Sequence, residues 1–500
     1  MSRRISRLPL VAGLVACVGG CSENRSPDLV APRATSDVSA LAEGPTVVDP
    51  NLAVRTVISG LSLPVAFAFV GANDILVTEK ATGRVQRVVN GAVQSTVLDL
   101  AVNSNSERGL LGIALDPQFP NDPAVYLYWT ESSTGADATA AADVADSPLG
   151  NRVDRFLWDG SKLTFDRNLI KLRAFQADAG QPLRGNHDGG VIHFGPDGKL
   201  YIFVGDVGRR GQLQNLVCGP TATCPGPTVA DDQFGGPAPD NAHLTGVVLR
   251  LNEDGTAPAD NPFFAAGASM GGETGAVIQK IFSYGHRNSI GMAFDPKAGN
   301  LWLEENGDDS FTELNLVERG MNGGWVQIAG PISRISEFKA IETSPRFFGL
   351  QQNRWPPTNI AGTPEEARAR LFMLPGAHYS DPEFAWKFEV APAGLGFIEG
   401  RGLGPQYDGD LVLGAARQTL FNGQLFRFNL TGNRRRVAVN DARLEDRVAD
   451  NLDKYDVTES ESLVFGTDFG IVTDIRTGPN GNLYVVSLSL GSIYEISRRK

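Results

Sequence analysis

The stretch "GPDGKLYIFVGD", residues 195–206, decides the fold. A polar turn rich in glycine and proline leads into a short apolar strand, which ends in an aspartate. The same unit recurs as "GANDILVTEK" (71–80), "NDPAVYLYWT" (121–130), "DPKAGNLWLEENG" (295–307), "YDGDLVLGAAR" (407–417) and "GPNGNLYVVSL" (478–488). A second strand with alternating apolar residues follows each copy. Six recurrences of one β unit predict an all-β fold, a six-bladed β-propeller around a central channel.

The spacing of the units is uneven, at about 50 to 110 residues, against about 40–50 for an ordinary blade. We therefore expect long inserted loops at residues 131–150, 207–243 and 330–393. The last contains one short helix, because Thr363 is a good cap, Pro364 suits the first turn and Glu366 completes a capping box. A pair of β-sandwiches would not repeat in this way. "GRGLGP" (400–405) lacks the third glycine and the strand-to-helix context of a dinucleotide site.

Composition narrows the class of protein. The chain has 500 residues, is 42% hydrophobic and carries a formal net charge of −12. It has no run of Lys and Arg that would suit a phosphate backbone, so nucleic acid is not an expected partner.

The N-terminus predicts export. Three arginines precede the apolar stretch at residues 8–18, which is too short to span a bilayer but suits a signal peptide. The "VGGC" that ends at Cys21 resembles the lipobox of bacterial lipoproteins, although ordinary secretion is the alternative. We expect a signal peptide at residues 1–20, a flexible tether at 21–50 and the propeller at 51–500. A lipid on Cys21 would anchor the protein to a membrane on the periplasmic side.

Four cysteines occur in the chain. Cys17 and Cys21 lie near the N-terminus, and Cys218 and Cys224 lie close together in "CGPTATC". In an exported protein such a pair favours a loop-closing disulfide. Four zinc ligands are not available there, which makes a metal site a weak interpretation.

His187 and Asp206 are the first candidates for chemistry. His187 lies in the polar loop "RGNHDGG", and Asp206 ends the strand that follows. A loop histidine that faces a cleft can take a proton from a hydroxyl, provided that a carboxylate orients it. From the residues alone, a loop histidine and a strand-end aspartate are more often turn or capping residues, and that alternative stays open.

Five stretches add a resemblance. "ERGLLGIALDPQFPNDPAVYLYWT", "NHDGGVIHFGPDGKLYIFVGD", "GVVLRLNEDGTAPADNPF", "IFSYGHRNSIGMAFDPKAGNLWLEENG" and "ELNLVERGMNGGW" occur in this order. Together they resemble the glucose/sorbosone dehydrogenase family, soluble sugar dehydrogenases that use pyrroloquinoline quinone (PQQ) with calcium. The similarity runs from about residue 60 to residue 496. The family fold is a six-bladed propeller, in agreement with the repeats.

The resemblance implies catalytic roles. His187 matches the general base that takes the proton of the anomeric hydroxyl while hydride passes to the quinone. Asp206 matches the acid that orients this base. Arg287 matches the residue that polarises the quinone oxygen, and a fixed guanidinium suits the negative charge that develops there. His286 has no matching role and is expected to be structural.

The resemblance also implies residues that hold the cofactor and its metal. Asn288 matches a residue that hydrogen-bonds PQQ, and Arg417 falls where the family has a lysine that reaches it. The carbonyls of Gly307 and Asp308 match the calcium ligands, although a solvated acidic turn is the alternative for this stretch. Glu107 falls at a cofactor-contacting position where well-known members have glutamine.

One departure from the family pattern bears directly on PQQ. Ile471 and Thr473 replace an arginine pair that grips the cofactor carboxylates, and losing two charge-assisted contacts costs about 1.5–3 kcal/mol each. Arg184, Arg209 and Arg210 are candidates for compensation.

Three functions therefore remain open. The leading one is PQQ-dependent oxidation of an aldose or related sugar, with a quinone or cytochrome as electron acceptor. The second is a non-catalytic propeller that binds glycan or protein. The third is a calcium-dependent hydrolase such as a lactonase, which no motif here supports.

Overall fold

The computed structural model describes residues 44–175, 185–207, 244–347, 360–416 and 422–499. These residues form thirty strands and four short α-helices. The first ten strands are β1 (Thr46–Val47), β2 (Leu52–Ile58), β3 (Pro64–Gly71), β4 (Asp74–Glu79), β5 (Arg84–Val89), β6 (Ala92–Asp99), β7 (Leu110–Leu115), β8 (Ala124–Thr130), β9 (Asn151–Trp158) and β10 (Leu163–Leu172). The next ten are β11 (Ile192–Phe194), β12 (Leu200–Val204), β13 (Val247–Leu251), β14 (Ile281–Tyr284), β15 (Met292–Phe294), β16 (Leu301–Glu305), β17 (Ser310–Val317), β18 (Met321–Asn322), β19 (His378–Tyr379) and β20 (Phe384–Phe388). The last ten are β21 (Pro392–Phe397), β22 (Leu411–Ala415), β23 (Gln424–Phe428), β24 (Leu430–Thr431), β25 (Arg436–Val437), β26 (Val448–Ala449), β27 (Val464–Thr467), β28 (Val472–Thr477), β29 (Leu483–Ser487) and β30 (Ser492–Arg498).

The strands pair into six sheets of four or more strands and one two-stranded ribbon among the described residues. The sheets have the orders β3-β4-β5-β6, β7-β8-β9-β10, β11-β12-β13-β14-β18-β19, β15-β16-β17-β20-β26, β21-β22-β23-β27-β1 and β28-β29-β30-β2. Each of the six repeated strands lies in a different sheet, and its predicted second strand pairs with it in antiparallel register. The first strands of the sheets, β3, β7, β11, β15, β21 and β28, contact one another in a closed cycle. The prediction of an all-β propeller is therefore confirmed.

The sheets are less uniform than the repeats suggest. Five of them take their four main strands from one stretch of chain, whereas the sixth joins the two ends of the chain. There β2 pairs with β30, with Leu52 opposite Arg498. The nearby β1, which falls within the predicted tether, pairs with β27. Backbone hydrogen bonds between chain ends thus close the ring.

The core lies between neighbouring sheets. All five residues of β12 and of β13 are buried, because both faces of these strands pack against apolar side chains. Trp302 and Trp386 are fully buried in one such layer. Full burial of a large apolar side chain stabilises the fold by about 1.5–3 kcal/mol.

Helices are few but more numerous than predicted. The predicted one is α4 (Pro364–Ala369), after α1 (Phe264–Met270), α2 (Gly272–Ile278) and α3 (Ile335–Glu342). Thr363 accepts a hydrogen bond from the Glu366 N–H at 3.2 Å, as the capping box requires. The Glu366 carboxylate, however, accepts from the Gly362 N–H rather than from Thr363. None of the helices in the described ranges has the length and apolar character needed to cross a membrane.

Candidate active site

The hairpin of β11 and β12 brings His187 and Asp206 together. His187 lies in the loop before β11, and Asp206 follows β12 by two residues. His187 Nδ1 is 2.6 Å from Asp206 Oδ1, and the two residues are 3% and 0% exposed. Since an ionised carboxylate only accepts hydrogen bonds, Nδ1 carries the proton and Nε2 is the basic nitrogen. The predicted base and its orienting acid are therefore in contact.

The backbone of His187 is held in an unusual conformation. Its φ of 56° lies in the left-handed region, which a residue with a side chain adopts only when the surroundings impose it. Its N–H donates to Glu107 Oε2 at 2.7 Å. Glu107 thus holds the histidine loop through the main chain.

Arg287 lies in the loop between β14 and β15 and is 4% exposed. Its Nη2 donates to Asp308 Oδ1 at 2.7 Å, and its Nη1 donates to the Asn306 carbonyl at 3.0 Å. Burial alone would lower the pKa of Arg287, but Asp308 and Asp206 more than offset it, and the pKa is raised. The site therefore contains a permanent, fixed positive charge.

The Arg287 loop lies directly against the His187–Asp206 pair. The Asp206 N–H donates to the Arg287 carbonyl at 2.8 Å. A Cβ placed on Gly205 would lie 2.2 Å from the His187 carbonyl oxygen and 3.0 Å from that of Arg287. Glycine is needed here because carbonyl oxygens of both loops leave no room for a side chain on its α-carbon. The structure thus brings His187, Asp206 and Arg287 to one place.

Trp325 contacts both halves of this arrangement. Its indole Nε1–H donates to Asp206 Oδ2 at 2.8 Å, on the oxygen that does not face His187. The Arg287 guanidinium lies over the indole ring, 5.5 Å from the centroid. The sequence pattern carried no sign of this residue beyond its place in the "MNGGW" stretch, because its partners are far away in the chain.

Asn288 and Glu107 lie on the other side of the base. Asn288 Nδ2 is 3.5 Å from Glu107 Oε2, whereas its buried Oδ1 has no hydrogen-bond partner within the described part of the chain. Burial raises the pKa of Glu107, while His187, Arg287 and Lys80 act in the opposite direction. An orphaned buried amide oxygen is rare in a folded protein, and it suggests a ligand group that is not part of the chain.

Asp308 lies in the turn between β16 and β17, beside an oxygen-rich cluster. Carboxylate oxygens of Asp308, Asp309 and Glu342 all lie within 4.8 Å of one another. Burial raises the pKa of Asp309 and, more strongly, that of Glu342. Lys454 donates to Asp309 Oδ1 at 2.6 Å and to the Asp308 carbonyl at 3.2 Å. The carbonyls of Gly307 and Asp308, the predicted calcium ligands, thus border a set of hard oxygen donors.

His286 is bound on both ring nitrogens. Its Nδ1 is 2.9 Å from Glu305 Oε2, and its Nε2 is 2.9 Å from Ser283 Oγ. The other Glu305 oxygen accepts from the Arg287 N–H at 2.9 Å. The predicted structural role of His286 therefore has a specific form, since it orients Glu305, which in turn holds the Arg287 main chain.

Several predicted residues lie outside the described residues. They are Arg417, Arg184, Arg209, Arg210, the Cys218–Cys224 pair, Cys21 and the signal peptide.

A central channel runs next to the His187 loop, although His187 itself does not line it. Its empty space, counted together with open solvent, is about 930 Å³. Residues from the first strands of all six sheets line it; most are aliphatic, but β28 contributes the charged Asp474 and Arg476. Glu107, Lys80 and Gly189 line it as well, which places the channel beside the His187 loop. Ile471 and Thr473 also face it, and the Thr473 hydroxyl donates to the Val65 carbonyl at 2.7 Å. Neither residue supplies the charge that an arginine would.

Comparisons with known proteins agree with this architecture. A family model described as "Glucose / Sorbosone dehydrogenase" matches residues 61–333. The chain is 33% identical over 286 residues to quinoprotein glucose dehydrogenase B of Acinetobacter calcoaceticus, an alignment that covers 56% of this chain and 53% of that protein. It is 27% identical over 465 residues to the aldose sugar dehydrogenase YliI of Escherichia coli K12, covering 92% of this chain and 96% of that protein.

A solved structure supports the fold. The PQQ-bound aldose sugar dehydrogenase of Streptomyces coelicolor superposes with a TM-score of 0.53 at 23% identity, covering 90% of this chain and 98% of that one. These relatives define the class of protein, an oxidoreductase built on a β-propeller. The chain belongs to the glucose/sorbosone dehydrogenase family.

Proposed function

We propose that the protein oxidises the C1 hydroxyl of an aldose or a related sugar by hydride transfer to PQQ held with calcium. The observation that carries this proposal is the buried hydrogen bond of 2.6 Å between His187 and Asp206, with Arg287 held against the same pair. The relatives named above are sugar dehydrogenases, and one was solved with PQQ bound.

His187 is the base in this proposal. Its Nε2 takes the hydroxyl proton of the sugar, and Asp206 stabilises the imidazolium that forms. When bound, PQQ supplies a carbonyl group that accepts the hydride. Arg287 holds its positive charge in place where negative charge develops, so no reorganisation is needed during the reaction.

The site offers donors to the cofactor and its metal, beside the Lys454 ammonium that already binds the oxygen cluster. Asn288 offers an amide oxygen without a partner in the described residues, and Arg287 offers a cation for an anionic or developing oxyanionic group. Glu342 Oε2 is likewise buried without a partner in that part of the chain, beside Asp308 and Asp309. Carbonyl and carboxylate oxygens are the ligands that Ca²⁺ prefers.

Further parts of the proposal concern architecture and location. We propose that the six large sheets are six blades, and that residues 51–500 form this one domain. We also propose export by the signal peptide at residues 1–20 and anchoring through a lipid on Cys21, with a quinone or cytochrome as electron acceptor. Metabolic labelling with a radioactive fatty acid tests the anchor, which Cys21→Ser should abolish.

A second candidate is a non-catalytic propeller that binds glycan or protein. Ile471 and Thr473 favour it, because they line the channel in place of the arginine pair that would bind the PQQ carboxylates. In this case the site would bind a ligand without oxidising it.

Reconstitution separates the two candidates. Purified protein is mixed with PQQ and calcium, and sugar-dependent reduction of a dye is measured. His187→Ala should lose dye reduction while PQQ binding persists. His378→Ala is the control, because that side chain is 44% exposed and lies on β19, away from the site. Failure of the unmodified protein to bind PQQ at micromolar concentration would favour the binding propeller.

A further inference from the structure

We propose that Trp325 is a positioning residue that joins the base to the guanidinium, an inference that rests on the proposed function of the site. One indole contacts two groups of the site. The nitrogen fixes the carboxylate behind His187, and the ring face fixes Arg287.

The main chain around Trp325 is attached to the Arg287 loop. The Trp325 N–H donates to the Gly285 carbonyl at 3.0 Å, and the Gly323 N–H donates to the Tyr284 carbonyl at 2.8 Å. Trp325 itself is 2% exposed. The main chain of Trp325 is therefore anchored beside the Arg287 loop, and burial leaves its ring little room to rotate away from Arg287.

The contact with Asp206 determines how the acid meets the base. One oxygen of Asp206 accepts from His187, and the other accepts from the indole N–H at 2.8 Å. With a donor on each oxygen, rotation of the carboxylate group is restricted, and the imidazole is held in one plane. Without the indole N–H, the second oxygen keeps more negative charge and holds the protonated imidazole more tightly.

The guanidinium of Arg287 is held both along its edge, by hydrogen bonds, and on its flat face, by the indole ring. Asp308 and the Asn306 carbonyl bind two of its nitrogens, and Trp325 supports the plane of the guanidinium. A cation over an indole face is attracted by the ring electrons. The same side chain therefore determines the orientation of both groups that the reaction needs.

Trp386 provides a matched control. It is fully buried, its Nε1–H donates to Ser460 Oγ at 3.0 Å, and it packs in a separate apolar layer with Phe384 and Phe426. Trp325→Phe and Trp386→Phe each remove one indole hydrogen bond and a similar volume from the interior. Only the first removes a bond to Asp206.

The first readout is the NMR titration of the His187 imidazole in full-length protein without added cofactor, assigned by the loss of its signal in His187→Gln. Within the described part of the chain, Glu107, Lys80, Asp188 and Arg287 are charged groups close to the pair. All of them remain in both variants. Trp325→Phe should move the titration midpoint upward by about half a pH unit, a threefold change in the equilibrium. Trp386→Phe should leave it in place. An unchanged midpoint in Trp325→Phe, or an equal shift in both variants, overturns the proposal.

The second readout is turnover of the PQQ- and calcium-loaded protein. Trp325→Phe should lower kcat about 10- to 100-fold, with KM for the sugar within about threefold, because the indole orients the reacting groups and does not bind sugar. An equal loss of kcat in Trp386→Phe would show a merely structural role. If the unmodified protein oxidises no sugar, the proposed function fails, while the titration still decides the role of Trp325.

A measurement on the unmodified chain covers the case in which Trp325→Phe does not fold. The chain has six tryptophans, hence six indole N–H signals. One of them should change with the midpoint of the His187 titration and lose that dependence in His187→Gln. If none of the six responds to this titration, the inference is wrong.

Discussion

Asp206→Asn is the change that most sharply tests the base. Trp325 presents a fixed N–H donor to Oδ2 of Asp206. In the variant, the amide oxygen will therefore turn toward Trp325, and the amide NH₂ group will face His187 Nδ1. The imidazole must then carry its proton on Nε2, and it can no longer accept a proton from the substrate. An aspartate-to-asparagine change of this kind inverts the tautomer without altering the shape of the site.

The expected loss of activity in Asp206→Asn has two parts. Losing a charge-assisted hydrogen bond to a buried imidazole costs about 1.5–3 kcal/mol. Losing the general base costs about 10²- to 10⁴-fold in rate. Because the two effects act through the same imidazole, they overlap, and we expect kcat to fall about 10³-fold, or about 4 kcal/mol. PQQ affinity should change little, since Asp206 faces the base.

The assay is steady-state dye reduction at saturating sugar in protein loaded with PQQ and calcium. Asp154→Asn is the control, because Asp154 is also fully buried and also accepts an indole N–H, from Trp129 at 2.8 Å, in a different sheet. It should retain activity within about threefold, in the range of changes remote from a reacting group. If Asp206→Asn keeps more than a tenth of the activity, the assignment of His187 as base is refuted.

Three further predictions follow from the same contacts. Gly205→Ala should force the His187 and Arg287 carbonyls apart, lowering stability by about 1–3 kcal/mol in thermal or denaturant unfolding and lowering activity with it. Asp188→Asn should reduce the loss of stability with rising pH. Burial raises the pKa of Asp188 to about 7, so its stabilising contribution is complete below pH 4 and disappears as the pH rises through 7. Denaturant unfolding at pH 5 and pH 8 measures this effect. The fall in the free energy of unfolding between these pH values should be about 2 kcal/mol smaller in the variant than in the wild type. Glu107→Gln should tighten PQQ binding about tenfold, because it removes a negative charge facing an anionic cofactor. Burial raises the pKa of Glu107, so this advantage should grow with pH in a calorimetric titration.

A control variant is available for Gly205→Ala, and each of the three predictions has an outcome that would contradict it. Gly362→Ala introduces a Cβ whose nearest neighbour is 3.5 Å away, and it should be harmless. Equal destabilisation by Gly362→Ala and Gly205→Ala would contradict the close approach at Gly205. If Asp188→Asn leaves the pH dependence of stability unchanged, the raised pKa of Asp188 is contradicted. Weaker PQQ binding in Glu107→Gln would mean that the carboxylate contacts the cofactor favourably.

The sequence predicted those parts of the fold that are local. Each repeated turn and strand has its signal within about ten residues, and each lies in a separate sheet. The pairing of β2 with β30 was not predictable, because the partners lie at opposite ends of the chain and neither strand differs from its neighbours in pattern. The helices α1 to α3 were missed as well. Glycines interrupt α1 and α2, and three of the eight residues of α3 are isoleucine or phenylalanine, which suit a strand equally well.

The candidate site likewise contains residues that the sequence suggested and one that it did not. His187 and Asp206 are 19 residues apart on one hairpin, so the repeat unit itself suggested their contact. The resemblance suggested Arg287 and Asn288. Trp325 lies 119 residues after Asp206, just after β18, and nothing in the local pattern indicates where its indole points. A contact that depends on how distant loops pack together becomes visible only in the folded chain.

The most direct measurement of the central claim is a single-turnover experiment on protein loaded with PQQ and calcium. The absorbance of the bound quinone is followed after mixing with an aldose in the absence of any other electron acceptor. We predict rapid, stoichiometric reduction in the wild type and almost none in His187→Ala that has bound the same amount of PQQ. No reduction in the wild type with any aldose, or equal rates in both proteins, would contradict the assignment.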